Sequence, residues 1–152
     1  MKIVIGGDHA GYDLKEKILK KLSADGHEVL HAGSFTPDVV DFPDIARMVC
    51  AAITDHTAER GIMICGSGVG AAIACNKTPG IRAAVVHDLY TARQCVEHDN
   101  VTVMAIGQDI IGYQAACDLI DIFLHAEFHD TEEFRQRIKK LDDLDQRGAQ
   151  DG

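Results

Sequence analysis

Tryptophan is absent from the 152-residue sequence, and three tyrosines and five phenylalanines bring the aromatics to only 5%. That leaves little to stack on a nucleobase or an isoalloxazine ring. Positive charge is scarce too. Fifteen Lys and Arg face twenty-four Asp and Glu, a net charge of −9. A nucleic-acid or anionic-membrane binder needs a basic face, so both classes are excluded; one small anion held by local donors is not. No apolar run nears the roughly 18 residues of a spanning helix. Met1 to Gly6 reads straight into a strand, with no basic region and signal core ahead of it. The five cysteines are an odd number without a C-x-x-C pair, which suits a reducing compartment, and a cytoplasmic location is expected. Histidines and cysteines are scattered without zinc spacing, so no metal is expected.

What is present is a globular balance, 46% hydrophobic and 26% charged, in a length suited to one domain over residues 1–152. Short β-branched runs alternate with amphipathic ones. Strands are expected at Lys2–Gly6, His27–Ala32, Gly61–Cys65, Ile81–Val86 and Val101–Ile106. Helices are expected at Asp13–Ala24, Asp44–His56, Ala71–Asn76, Leu89–Glu97, Ile110–Ala126 and Phe134–Leu144, with a frayed tail over Gln146–Gly152. Such alternation predicts an α/β fold with helices on both faces of a parallel five-stranded sheet, in the order 2-1-3-4-5.

In such a sheet the site lies beyond the carboxyl ends of the strands, where the strand order reverses. That point falls between strands 1 and 3, whose loops are Gly7-Asp8-His9-Ala10-Gly11 and Cys65-Gly66-Ser67-Gly68-Val69-Gly70. Alternate glycines opening a helix leave backbone N–H groups bare, a nest for a phosphate or a developing oxyanion. A tight structural turn and a dinucleotide fingerprint, with Ala71 and Asp88 in its later positions, compete with that reading. The fingerprint, however, usually follows the first strand. Cys65 closes strand 3 just before a helix start, where dipole and amides favour the thiolate. A cofactor loop has no need of it. Cys50, Cys75, Cys95 and Cys117 read as core thiols. Asp8 and His9 can both project into the crevice, as acceptor and as donor to an anion. His98 ends a helix, and a C-terminal cap and a functional role both stand for it. His27, His31, His56, His87, His125 and His129 read as surface or packing residues. Arg135, Arg137, Lys139 and Lys140 read as a solvated basic face.

Taken together, Gly7–Gly11, Asp41-Phe42-Pro43-Asp44, Cys65–Gly70, Asn76–Ala84 and His98 resemble the type-B ribose-5-phosphate isomerases and the two-subunit galactose-6-phosphate isomerase. The likeness runs over about residues 1–128, in order and with matching spacing. It implies a flavodoxin-like, Rossmann-like three-layer sandwich with a C-terminal helical arm from about residue 129 that packs on a partner subunit. It also implies a homodimer or tetramer with sites at the subunit interface. The implied reaction is cofactor-free aldose–ketose isomerisation of a sugar phosphate through a cis-enediol. On this likeness Cys65 is the base, and Ser67 and the amides of Gly66, Gly68, Val69 and Gly70 hold the enediolate oxygen. His98 with Asp8 opens the sugar ring, and His9 touches the phosphate.

The sequence departs from the family at three places. Asp109 stands where an arginine usually follows strand 5. The arm reads Thr131-Glu132-Glu133-Phe134-Arg135-Gln136-Arg137, where only Arg137 matches and Glu133 replaces an arginine. Asp99 stands for the asparagine after the histidine, and joins Arg137 in the expected substrate-binding set. Two carboxylates in place of two guanidiniums repel a phosphate dianion. The resemblance makes ribose 5-phosphate the default substrate, and the two carboxylates open alternatives to it. Galactose or allose 6-phosphate, a tetrose phosphate, an unphosphorylated sugar, or a place in a heteromeric isomerase are the alternatives. A nucleotide- or flavin-holding module on the same fold is the remote one.

Overall fold

The computed structural model describes residues 1–150, with side chains as far as Gln146. Five parallel strands, β1 (Lys2–Gly7), β2 (Glu28–His31), β3 (Arg60–Cys65), β4 (Ala83–Val85) and β5 (Val103–Gly107), form one sheet. Six helices surround it: α1 (Tyr12–Ala24), α2 (Phe42–Thr54), α3 (Val69–Cys75), α4 (Leu89–Asp99), α5 (Tyr113–His125) and α6 (Glu132–Gln150). β1, β3 and β5 are apolar on both faces, as strands covered on both sides must be. Ile3, Ile5, Ile62, Ile64, Met104 and Ile106 face one helical layer, and Val4, Met63, Val103 and Ala105 face the other.

The sheet order is β2-β1-β3-β5-β4, so the expected order of the last two strands is corrected. The reason is burial. β5 is buried along its whole length and takes an interior place, while three-residue β4 is only half-buried and takes the edge. Right-handed crossovers then dictate where the helices lie. The moves from β2 to β3 and from β3 to β4 run one way and put α2 and α3 on one face. The return from β4 to β5 runs the other way and puts α4 with α1 and α5. The two cores have that membership: Ile45, Val49, Ile53, Ala71 and Cys75 in one, Ile18, Leu22, Val96, Ile120 and Phe123 in the other.

The α6 helix begins at Glu132 and continues through Gln150, past the point where a frayed tail was expected; residues 151–152 lie outside the described part. It lies against its own chain. Asp142 pairs with Arg82 at 3.1 Å, and Asp145 accepts the Gly80 N–H at 2.8 Å. No helix among the described residues is long and apolar enough to cross a membrane.

Candidate active site

β1 and β3 are hydrogen-bonded neighbours and end side by side, so their following loops meet. Asp8, only 6% exposed, turns the chain after β1: its Oδ1 accepts the N–H groups of Ala10 and Gly11 at 3.0 and 3.1 Å. Its own N–H donates to the Ile64 carbonyl at 3.2 Å, which ties the loop to the end of β3. His9 is exposed, and its Nδ1 lies 3.3 Å from Val40 N and 3.2 Å from Val40 O. When Nδ1 accepts the Val40 N–H, the ring proton sits on Nε2 as a free donor.

Cys65 is buried, and the Gly68 N–H points to its Sγ at 3.1 Å. That approach requires Gly68 at φ +80°, a left-handed conformation that a side chain would strain. Ser67 is exposed, and its Oγ accepts the Val69 N–H at 3.2 Å. Two of the amides expected in the nest are therefore used by the loop itself. The N–H groups of Ser67 and Gly70 have no acceptor among the described residues. The Phe42 ring lies over Gly70 so closely that a Cβ there would sit 2.8 Å from it. This links the Asp41–Asp44 segment to the glycine loop.

From the other side the loop is met by the residues after β5. Gln108 N–H donates to the Cys65 carbonyl at 2.8 Å, and Asp109 N–H to the Gly66 carbonyl at 3.0 Å. The Asp109 carboxylate thus borders the loop, 3.2 Å from where a Cβ on Gly66 would lie. His87 Nε2 accepts the Gly107 N–H at 2.9 Å, a packing role, and burial lowers the pKa of the ring.

His98, Asp99 and Arg137 are elsewhere. The α4 helix starts at the carboxyl edge of the sheet and runs back, so its last turn lies at the opposite edge. There Arg82, just ahead of β4, donates from Nε to the carbonyls of Asp99 and Asn100 at 3.1 Å each. Asn100, at φ +47°, closes the helix through a bond to the Val96 carbonyl, so His98 is not its cap. The His98 ring stacks on Phe134 at 4.7 Å between centroids, 19° from parallel. Arg137 lies over the Phe134 ring, 5.5 Å from its centroid, and pairs with Glu133. Arg135 pairs with Asp130 and Lys139 with Asp143, as on a solvated charged face. One chain therefore brings Asp8, His9, Cys65, Ser67 and the glycine loop together, and holds His98, Asp99 and Arg137 at its far end.

The sequence reading missed three supports. Phe134 holds the face of His98. The Gln108 side chain accepts the Leu14 N–H at 2.8 Å, joining the β5 loop to α1. Lys15 is fully buried behind the first loop, donating to the Ser34 carbonyl and lying 2.8 Å from His31 Nε2 and 3.0 Å from Glu16. Ser34 N–H in turn donates to the Gly7 carbonyl at 2.7 Å, one residue before Asp8. The only signal for Lys15 was its place beside Leu14 and three residues before Ile18, on the apolar stripe of α1.

Comparison with known proteins agrees with this fold. A solved structure of Clostridium thermocellum ribose-5-phosphate isomerase B is 40% identical and superposes with a TM-score of 0.94, covering 97% of this chain and 99% of that one. A galactose-6-phosphate isomerase subunit of Clostridium acetobutylicum is 37% identical over 95% of this chain and 83% of its own length. A D-erythrulose-4-phosphate isomerase of Pectobacterium atrosepticum is 39% identical over 84% of this chain and 85% of its own. Residues 3–141 match the Ribose/Galactose Isomerase family as a whole. By its fold, the loops that meet at Cys65 and this match, the chain belongs to the Ribose/Galactose Isomerase family.

Proposed function

We propose that the protein is a cytoplasmic, cofactor-free aldose–ketose isomerase, with ribose 5-phosphate and ribulose 5-phosphate as its first substrate pair. The observation that carries the reading is the buried Cys65 Sγ, held by the Gly68 N–H beside the free N–H groups of Ser67 and Gly70. As thiolate, Sγ takes the proton from C2 of the open-chain aldose. A C1–C2 double bond forms and charge moves to O1. Return of the proton from Sγ to C1, with the O2 proton passed to O1, gives the ketose and leaves the thiolate as it began. The Ser67 and Gly70 N–H groups are suited to the enediolate oxygen, and one such donor is worth about 2.7–4 kcal/mol of barrier.

Ring opening needs a second proton-transfer group, and His98 is too far along the chain's own α4 to serve its own Cys65. A second copy of the chain supplies it: His98 of the partner subunit faces Asp8, with Asp99 and Arg137 of the partner subunit at the distal end of the sugar. Exposed Val69 and Ile73, one turn apart on α3 beside the glycine loop, give that copy an apolar surface to cover. The arm from about residue 129 then belongs to the interface.

Asp109 and the Glu133–Arg137 pair favour a second substrate reading, in which hydroxyl groups rather than a phosphate dianion meet the carboxylates. An isomerisation assay on the purified protein decides between them. It would compare ribose 5-phosphate, allose and galactose 6-phosphates and erythrose 4-phosphate, each beside its free sugar. Preference for a phosphorylated pentose supports the first reading. Preference for a free sugar supports the second, and no turnover of any aldose would refute both for the chain alone and point to a place in a heteromeric isomerase.

A further inference from the structure

The histidine at the end of α4 also belongs to a cluster with Glu97 and His129, two side chains that the proposed isomerisation does not use. We propose that Glu97, His98 and His129 form a zinc-binding site, and that zinc bound there withdraws His98 from proton transfer. One donor atom from each of the three side chains lies within 4.8 Å of the other two, and Glu97 Oε1 is 3.8 Å from His129 Nε2. Tetrahedral zinc, about 2.0–2.2 Å from its nitrogen and oxygen ligands, needs donors roughly 3.3–3.6 Å apart. Small side-chain rotations of partly exposed groups close that gap.

The backbone is already arranged for it. His129 lies four residues beyond α5, and its N–H donates to the Glu97 carbonyl at 2.9 Å, fastening the two segments that carry the ligands. Phe134 walls the cluster on one side, 4.7 Å from the His98 ring and 6.4 Å from that of His129. The donor set selects the metal. Two imidazoles and one carboxylate suit a borderline ion with three protein ligands and an open position, whereas calcium and magnesium require several more oxygens. Arg93, 3.7 Å from Glu97, is the resident cation that zinc must displace. Glu97 and His98 are adjacent and His129 follows thirty-one residues later, a separation that no spacing motif covers.

Zinc affinity does not depend on the proposed reaction; the loss of activity rests on His98 acting in ring opening. The test is competition for Zn²⁺ against a chromophoric chelator, on the full chain kept reduced with a phosphine. Wild type, His129→Ala, Glu97→Gln and Cys65→Ser would be compared, with isomerase activity followed in parallel for the first two. Wild type and Cys65→Ser are expected to bind one equivalent per chain, and His129→Ala to bind at least ~10-fold more weakly with unchanged basal activity. Zinc inhibition should shift by the same factor in His129→Ala. Equal affinity in wild type and His129→Ala, or affinity lost only in Cys65→Ser, would overturn the site. Binding as expected without inhibition would leave the site standing, overturn the withdrawal of His98 and remove His98 from ring opening.

Discussion

At the scale of single residues, the proposed chemistry turns on a sulfur and a carboxylate. Cys65→Ala keeps the loop's volume nearly intact and removes the proposed base, so turnover of the preferred sugar should fall by more than ~10²-fold with an unchanged circular dichroism spectrum. Retained turnover would take Cys65 out of that role. Asp109 borders the same loop beside Gly66 and sets a negative charge where a dianion would have to approach. Asp109→Arg should raise the ratio of kcat/KM for a phosphorylated sugar over its free form by at least ~10-fold. A ratio that does not move would place the phosphate elsewhere. His98→Asn should spare erythrose 4-phosphate, which has no ring to open because its O4 is esterified. Ribose 5-phosphate should suffer more. Equal losses on both would argue against ring opening.

At the scale of elements, the histidines that support the site give the fold a pH dependence. Burial lowers the pKa of His31, with the Lys15 cation adding to it, and burial alone lowers that of His87. Both rings accept or face a donor in their neutral form: His87 from Gly107 N–H, His31 beside Lys15 Nζ. As pH falls below the ordinary value of about 6.5, the unfolded chain takes up protons first, so stability is complete above that value and declines beneath it. The urea midpoint should drop over that range, and His87→Gln should flatten part of the slope; an identical slope in the variant would contradict the assignment. The alternation of strands and helices was legible because its periodicity is local, and so was the meeting of the Asp8 and Cys65 loops, since β1 and β3 flank the reversal of strand order. The exchange of β4 and β5 was not. It depends on which strand is buried on both faces, and the alanines of β4 read as apolar whether they lie at an edge or inside. Lys15 and Phe134 were also hidden, because their partners, Ser34 and His98, are brought to them only by tertiary packing.

At the scale of the whole molecule, two layers of helix close over the sheet, and the stability of that arrangement is concentrated in residues such as Phe123. It is fully buried between α5 and the sheet, with Arg60 donating to its carbonyl and lying over its ring. Phe123→Ala should cost about 3–5 kcal/mol, read as a lower urea midpoint at unchanged slope and constant protein concentration. The larger consequence of the fold is that α4 carries His98 to the edge of the sheet away from Cys65, so that the proposed site takes its parts from two copies. Mixing tests this most directly. Cys65→Ala and His98→Asn, each nearly inactive on ribose 5-phosphate alone, would be unfolded together in equal amounts, refolded and assayed. A twofold-symmetric assembly with shared sites predicts recovery of roughly a quarter of wild-type activity, because half of the dimers are mixed and each of those carries one intact site of two. Activity no greater than the sum of the two variants would contradict the shared site.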